Sequence, residues 1–118
     1  MELKKMKRGE IYFADLDPTI GAETQKKRPV LIVSNNANNN VAATVTIVPI
    51  TSILKKIYPF EVLLESRKTG LAKDSKAQCH QIRTISKLRI DSSNPAGIVS
   101  DEIIMKIEDA LKLHLDIV

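Results

Sequence analysis

Short runs of apolar residues, separated by turn-forming residues, recur along the first three quarters of the chain and predict a mainly β protein. Residues 44–48 are β-branched throughout and alternate threonine with larger apolar residues, which is typical of a strand. Residues 30–33 are apolar at every position, which predicts a strand that is buried on both faces. Further strands are predicted at 9–16, 60–64 and 75–85, and a short one at 88–90.

Prolines, glycines and asparagines indicate where these strands begin and end. Proline cannot donate to a sheet ladder, so Pro29 is expected at the start of the strand that follows it. For the same reason Pro49 is expected to end or edge the strand that precedes it. Residues 35–40 contain five asparagines and predict a flexible loop, and residues 66–74, which include Gly70, predict a turn.

One amphipathic helix is predicted at the end of the chain. Ser100 is a suitable N-cap, and the acidic residues at 101–102 suit the positive end of the helix dipole. An apolar stripe follows at spacings of three and four, formed by Ile104, Ile107, Leu111, Leu115 and Val118. Because such a stripe must be covered, we expect the helix to pack on the sheet. The elements together predict about six short strands, curled into a small barrel, with one C-terminal helix.

Composition narrows the class of protein. With 118 residues, 43% of them hydrophobic, the chain is large enough for one domain with a single core, and we expect one domain over residues 1–118, with 1–5 as a frayed leader. Cys79 is the single cysteine and suggests a reducing compartment. No apolar run approaches the roughly 18 residues of a membrane span. Residues 1–7 lack the apolar segment of a signal peptide, so we expect a cytoplasmic protein.

The chain carries a small excess of positive charge. The net charge of +4 suits an anionic partner, either a nucleic acid or an acidic protein. Two isolated histidines and one cysteine give no zinc-binding spacing, and no glycine-rich phosphate loop occurs. We therefore expect neither a metal site nor a cofactor.

A series of short motifs in a fixed order then becomes informative. They are RGEIY at 8–12, DLDP at 15–18 with GAE at 21–23, RPVLIVSN at 28–35, VPITS at 48–52, YPFEV at 58–62 and QIRTI at 81–85. In order and spacing they resemble the MazF/PemK toxins, and the resemblance continues to the C-terminal helix. It covers nearly everything from Met6 onward.

The resemblance implies a toxin of a type II toxin–antitoxin pair. Members of that family are dimeric SH3-like barrels that cut single-stranded RNA or mRNA at short sequences without a metal. The 2′-hydroxyl of the RNA is the nucleophile, and the products are a 2′,3′-cyclic phosphate and a 5′-hydroxyl. The implied partner is a labile acidic antitoxin of the MazE type, whose extended tail occupies the RNA groove and through which alone operator DNA is bound.

Metal-free cleavage of this kind needs fixed positive charge on the pentacoordinate phosphate. Arg28 matches the family's catalytic arginine, and its permanently charged guanidinium offers paired donors to phosphate oxygens. Thr51 matches the catalytic threonine, whose hydroxyl orients the phosphate, and Ser52 beside it either contacts a phosphate or bonds its loop. Without the resemblance, Arg28 is equally a solvated loop cation and Thr51 a strand-end residue that faces water.

Proton transfer is assigned to two further residues. Glu23 matches the acidic residue of the family's loop, where it is a base, orients Arg28 or is simply solvated. Relatives often continue Glu-Gln-Gly, whereas this chain reads ETQKK at 23–27, which adds positive charge. Relatives also carry an acidic residue just before the glutamine that Gln81 matches. Here His80 stands there, and it is either a proton-exchanging group that titrates near neutrality or a surface or interface histidine.

RNA contact is expected to extend beyond the reacting phosphate. Four lysines are expected to engage the backbone non-specifically, namely Lys26, Lys27, Lys55 and Lys56. Tyr58 and Phe60 offer faces for base stacking, with a core position as the alternative for Phe60. Gln81 is expected to read a base edge.

Two other functions remain open at this point. One is a non-catalytic gyrase poison of the CcdB type, which acts through C-terminal aromatic and glycine residues; this chain ends LDIV at 115–118 and has no such tail. The other is a domain that binds RNA without cutting it, because the loop and His80 depart from the family pattern.

Overall fold

A computed structural model describes residues 5–91 and 94–118 of the chain. The strands in this part are β1 (Glu10–Asp15), β2 (Lys27–Ile32), β3 (Thr44–Thr51), β4 (Glu61–Leu64), β5 (Ser75–Gln78), β6 (Arg83–Ser86), β7 (Ile90–Asp91) and β8 (Gly97–Ile98). The helices are α1 (Asn36–Val41), α2 (Ser66–Thr69) and α3 (Asp101–Leu115). Within the described ranges, none of the helices is both long enough and apolar enough to cross a bilayer.

All the strands belong to one antiparallel sheet, in the order β4-β5-β3-β2-β1-β7, with β6 also beside β3 and β8 also beside β1. The class is the predicted one, mainly β with a C-terminal helix. The sheet is curled without closing into a barrel, because no pairing joins β4 to β7 in the part of the chain that the structure describes.

The central strand β2 separates two hydrophobic cores. Val30 and Ile32 belong to one core and Leu31, between them, to the other, and all three are fully buried. The prediction that this strand is buried on both faces is therefore confirmed. Burying each such side chain contributes on the order of 1.5–3 kcal/mol, so this short strand is a principal source of stability.

Strand β3 runs through Pro49, contrary to the prediction that this proline ends or edges the strand. Pro49 pairs with Val30 on one side. On the other side the pairing with β6 ends at Ile47 and the pairing with β5 begins at Ile50. Pro49 lies in the gap between these two pairings, where the missing amide hydrogen is tolerated.

The predicted long strand at 75–85 is broken into β5 and β6 by a 3-10 turn, Cys79–Gln81. The break follows from the register along β3. Ile47 is opposite Arg83, whereas Ile50, three residues later, is opposite Ala77, six residues earlier. Three residues are thus left over between the two pairings, and the 3-10 turn accommodates them.

The asparagine tract is a helix, so the prediction of a flexible loop is wrong. The side chain of Asn35 caps α1 by accepting a hydrogen bond from the amide of Asn38 (2.8 Å). Asn39 is fully buried and donates to the carbonyl of Ser34 (2.8 Å). Its own carbonyl accepts from the ammonium of Lys87 (2.6 Å). These bonds, which are local and long-range together, outweigh the turn preference of asparagine.

Several boundaries differ from those predicted. The predicted turn at 66–74 contains the one-turn helix α2, which ends at Gly70 in the left-handed conformation that glycine tolerates (φ 84°). The predicted strand at 88–90 is mostly a second 3-10 turn, Lys87–Arg89, followed by β7. Strand β8 was not predicted. Of the predicted leader, residues 1–4 lie outside the described residues.

Helix α3 begins as predicted, because the hydroxyl of Ser100 accepts a hydrogen bond from the amide of Ile103 (3.3 Å). The buried stripe is displaced from the predicted one. Ile103, Ile107 and Ala110 are buried, whereas Leu115 and Val118 are exposed. The helix packs against β4 and the 3-10 turn Cys79–Gln81.

Ile107→Ala is expected to lower the free energy of unfolding by about 2–5 kcal/mol, because it opens a cavity under a fully buried side chain. Leu115→Ala, the same kind of truncation on the exposed end of the helix, is expected to cost less than about 1 kcal/mol. Urea denaturation of both variants measures the difference. Equal losses would contradict the observed placement of the helix.

Candidate active site

Arg28 and Thr51 lie at adjacent ends of two neighbouring strands. The register between β2 and β3 places Val30 opposite Pro49. The pairing ends there, and Arg28 and Thr51 lie two residues beyond it, one in each strand. Arg28 lines a cavity with Ile50 and Ser52, the residues on either side of Thr51 in the chain, so the two residues that were predicted to act on the phosphate lie at adjacent strand ends.

The side chain of Arg28 is half-buried, and its Nε donates to the backbone carbonyl of Gln25 (3.2 Å). It forms no ion pair within residues 5–91 and 94–118. Beside it lies a cavity of about 170 Å³ that Ser52 and Lys73 also line. The guanidinium of Arg28 is held through its Nε and is not neutralised, so its other N–H groups are donors for an anion.

Thr51 is 7% exposed, and its hydroxyl accepts a hydrogen bond from the amide of Ile53 (3.2 Å). The hydroxyl thereby fixes the turn that follows β3, and it keeps its own hydrogen for a second partner. A buried hydroxyl with a fixed oxygen is well suited to orient a phosphate.

Glu23 and His80 border a second cavity, of about 430 Å³, together with Gln81 and Arg83. Pro49 also lines it and precedes Thr51 by two residues, so the two lie on the same face of β3. The smaller cavity reaches Ile50 and Ser52, so both cavities adjoin the end of β3. The carboxylate of Glu23 accepts a hydrogen bond from the amide of Ile20 (2.7 Å), which closes its own turn.

The environment of His80 favours the neutral imidazole. Burial, the largest influence, lowers the pKa of His80 below its ordinary value of 6.5; Glu61 opposes this shift, and the charges of His114 and Lys76 add to it. The ring meets Phe60 edge-on at 4.5 Å between centroids. Its Nδ1 is buried and has no hydrogen-bond partner among the described residues. The 3-10 turn thus presents a histidine that can accept a proton.

An aromatic row leads away from His80. Phe60 is half-buried and stacks nearly parallel to Tyr58, with ring centroids 5.3 Å apart. Tyr58 is exposed, and the ammonium of Lys56 lies 4.8 Å above its ring. The loop between β3 and β4 therefore combines an exposed ring with positive charge, which is the combination that single-stranded nucleic acids bind.

A buried ion pair that the sequence analysis missed holds this loop. Lys76 and Glu61 meet at 3.0 Å, with side chains 10% and 3% exposed. Lys76 also donates to the carbonyl of Lys56 (2.6 Å), and Glu61 accepts from the amide of Tyr58 (3.0 Å). The two residues are 15 positions apart on different strands, so no local pattern indicates their pairing.

The four lysines that were predicted to bind the RNA backbone lie in two separate places. Lys55, like Lys56, is exposed on the loop after β3. Lys26 and Lys27 lie elsewhere, beside a cavity that Asp15 and Asp17 also line, and Lys27 pairs with Asp91 at 3.8 Å. The structure therefore does not bring these two lysines to the cavities that contain Arg28 and Glu23.

Two observations concern other chemistry. Across residues 5–91 and 94–118, no group of three or more His, Cys, Asp or Glu side chains is arranged to hold a metal ion. Burial, with a smaller contribution from Glu61, raises the pKa of Cys79 to about 12. The thiol is therefore uncharged at neutral pH and is a poor nucleophile.

Arg83 was not predicted as a site residue. It is half-buried, lines the larger cavity and donates to the carbonyl of Leu16 (3.2 Å). Its position inside the QIRTI motif was the only signal in the sequence that could have indicated it.

Comparison with known proteins gives consistent matches. Residues 7–115 match the family model described as the PemK-like, MazF-like toxin of type II toxin–antitoxin systems. The chain is 45% identical to Endoribonuclease MazF9 of Mycobacterium tuberculosis over 95% of this chain and 98% of that protein. It is 34% identical to Endoribonuclease EndoA of Bacillus subtilis over 96% and 97% of the two chains.

Among solved structures, an endoribonuclease in complex with its cognate antitoxin, from a mycobacterial species, superimposes with a TM-score of 0.76. The two chains are 26% identical, and the match covers 96% of this chain and 97% of the other. The overall fold of this chain is therefore similar to that of a solved endoribonuclease.

The fold and the site define a small, mainly β protein in which an arginine without an ion-pair partner among the described residues and a histidine whose pKa is lowered line two cavities next to the end of β3. Such a site suits an anionic phosphodiester. The chain belongs to the PemK-like, MazF-like toxin family of type II toxin–antitoxin systems.

Lys76→Met is expected to lower the free energy of unfolding by about 3–5 kcal/mol, because it leaves the buried carboxylate of Glu61 without its counter-charge. Lys68→Met, which removes a lysine that pairs with Glu65 at 3.8 Å on the surface, is expected to change it by less than about 0.5 kcal/mol. Chemical denaturation measures both. A small effect of Lys76→Met would show that the pair is not structurally important.

Proposed function

We propose that this chain is a metal-independent endoribonuclease that cuts single-stranded RNA at a short sequence, as the toxin of its toxin–antitoxin pair. The observation that carries the proposal is the 45% identity to Endoribonuclease MazF9 across nearly the whole of both chains. The placement of Arg28 and Thr51 at adjacent ends of β2 and β3 supports the assignment of the site.

In the proposed reaction the RNA's own 2′-hydroxyl attacks the adjacent phosphorus. A 2′,3′-cyclic phosphate forms, and the 5′-oxygen of the next nucleotide leaves as a hydroxyl. Arg28 binds the non-bridging oxygens and stabilises the negative charge that grows on them in the transition state. Thr51 donates its free hydroxyl hydrogen to the same phosphate and fixes its orientation, and Ser52 lies beside it.

Two protons must move in this reaction, one from the 2′-hydroxyl and one to the leaving oxygen. Glu23 and His80 are the groups proposed to move them, since both border the larger cavity. Because burial lowers the pKa of His80, the imidazole enters the reaction neutral and accepts a proton. The leaving oxygen then takes its proton from the carboxylic acid form of Glu23 or, where Glu23 orients the arginine instead, from a water molecule.

The exposed loop after β3 is proposed to bind the RNA on one side of the cut. Tyr58 stacks on a base, with Phe60 beneath it, while Lys55 and Lys56 contact phosphates. Lys26 and Lys27 belong to this proposal only as contacts for a more distant part of the strand, because they line a separate cavity.

The proposal extends to the partners of the toxin. A relative of 26% identity is known in complex with its cognate antitoxin, and we propose an acidic, MazE-like antitoxin for this chain as well. Operator DNA would then be bound only through the antitoxin. We also propose that residues 1–118 form one toxin domain, that it works as a homodimer, and that it acts in the cytoplasm.

Purified protein incubated with a long unstructured RNA in EDTA is expected to give discrete fragments that end in cyclic phosphate. Arg28→Ala is expected to abolish them, because it removes the charge on the phosphate. Arg67→Ala is the matched control, since Arg67 is exposed and pairs with Glu65 away from the site. Sequencing of the fragment ends measures the outcome and gives the recognition sequence.

Intact RNA with the wild-type protein would contradict the proposed activity. An electrophoretic shift without cleavage would then indicate an RNA-binding domain. Inhibition of gyrase would indicate a poison of the CcdB type.

His80→Ala is expected to lower kcat by about a hundredfold or more while the dissociation constant for an uncleavable 2′-deoxy substrate hardly changes. In the wild type, kcat is expected to fall at a lower pH than the ordinary histidine pKa of 6.5 would give, because burial lowers the pKa of His80 and only the protonated imidazole cannot accept a proton. The variant is expected to lose this part of the pH profile. Arg67→Ala, an exposed position away from both cavities, is again the control. An unchanged kcat in His80→Ala would exclude His80 from the mechanism.

A further inference from the structure

Gln81 binds the peptide groups on both sides of Glu23. Its Oε1 accepts a hydrogen bond from the amide of Thr24 (3.2 Å), and its Nε2 donates to the carbonyl of Ala22 (3.3 Å). Glu23 lies between these two peptides. We infer that Gln81 is a positioning residue, which holds Glu23 beside His80 for proton transfer; this inference rests on the proposed function.

The loop between β1 and β2 shows why such a clamp is needed. Its stem is held by Asp17, whose carboxylate accepts from the amide of Lys26 (3.1 Å), and by the backbone bond from Leu16 to Lys26 (3.0 Å). Around Glu23 itself, the local closure among the described residues is with Ile20, three residues earlier. The tip would therefore turn as a unit without an attachment to the sheet.

The start of the loop is bonded by Arg83 and Arg89, whereas the tip around Glu23 is attached to the rest of the fold by the segment that contains the 3-10 turn. Besides the two bonds of Gln81, the hydroxyl of Thr24 donates to the side-chain oxygen of Gln78 (2.8 Å). Gln78 ends β5, which pairs with β4. The position of the loop tip is thus set by the same short segment that presents His80.

The chemistry of the glutamine side chain explains why it fits. A primary amide offers an acceptor and a donor in one plane, as a backbone peptide does. It therefore meets an N–H and a C=O of the loop as a neighbouring strand would. Because these atoms are engaged by the loop, the side chain is not placed as a free reader of base edges, which was the expectation from the sequence.

The consequence for catalysis is geometric. His80 and Gln81 are adjacent on one turn, so any movement of that turn carries His80 and the clamped Glu23 together. The separation of the two proton-transfer groups is then kept constant, and small errors in that separation are costly to the rate. Gln81 acts through Glu23 without touching the reacting atoms.

A double-mutant cycle tests this inference on a short single-stranded RNA that contains the cleaved sequence. Gln81→Met, which keeps the length of the side chain and removes both hydrogen bonds, is expected to lower kcat about tenfold to a hundredfold with KM nearly unchanged. In the Glu23→Ala background the same change is expected to have no further effect, because the residue being positioned is absent. The preferred cleavage sequence is expected to stay the same.

Gln81→Glu distinguishes bonding from shape. The carboxylate still accepts from Thr24, but its second oxygen faces the carbonyl of Ala22 and repels it. The variant is therefore expected to lose activity like Gln81→Met. Gln25→Met is the matched control in the same loop, because Gln25 is exposed and the change leaves in place the backbone carbonyl that accepts from Arg28.

Amide hydrogen exchange without RNA provides a readout that is independent of cleavage. The amide of Thr24 is expected to be protected in the wild type and in Gln25→Met, and to exchange faster in Gln81→Met. Failure of the wild type to cut RNA would refute the proposed function, while the exchange data would still decide whether Gln81 holds the loop.

Three results would overturn the inference. They are additive effects of Gln81→Met and Glu23→Ala, a change in the preferred sequence or a large rise in KM, and full activity of Glu23→Ala. The first two would make Gln81 a direct contact to the RNA. The third would leave it with nothing to position.

Discussion

The site depends on a change of register along β3. On one edge this strand pairs first with β6 and then with β5, and three residues are left over between the two pairings. They cannot remain in the sheet, so they form the 3-10 turn Cys79–Gln81, which buries Cys79 and directs His80 and Gln81 toward the larger cavity. Pro49 is tolerated in the middle of β3 for the same reason. One irregularity in the sheet thus produces both a break in a strand and half of a candidate active site.

Arg28 and Lys76 have opposite electrostatic environments. Arg28 is held by its stem and left without a carboxylate partner among the described residues, so its charge remains available to a phosphate. Lys76 is buried and its ammonium group is engaged, because Glu61 neutralises its charge and a loop carbonyl accepts a hydrogen bond from it. The first arrangement suits binding of an anion, whereas the second fixes the shape of the loop that carries Tyr58. A buried pair of this kind contributes mainly by fixing geometry, since the cost of desolvation offsets much of the attraction.

The aromatic and histidine rings connect these parts physically. Tyr58, Phe60, His80 and His114 follow one another at centroid distances of 5.3, 4.5 and 6.3 Å, from the loop after β3 to the last turn of α3. Burial lowers the pKa of His80 and so favours its neutral form, and Phe60 is in contact with the ring. The packing of the helix on the 3-10 turn therefore affects the chemistry of the site as well as the stability of the fold.

The amino-acid sequence alone determined the strands with β-branched or wholly apolar runs, the capped start of α3, and Arg28 and Thr51 as a pair of site candidates. These features depend on neighbouring residues or on motifs in a fixed order, so they can be recognised locally. Only the tertiary structure decided the break at 79–81, the helix in the asparagine tract, the ion pair between Lys76 and Glu61, and the clamp from Gln81 to the loop around Glu23. Each of these depends on a partner that is distant in sequence, and the clamp spans 57 residues. Local patterns contain no information about which distant groups will satisfy a buried charge, an amide or a shifted strand.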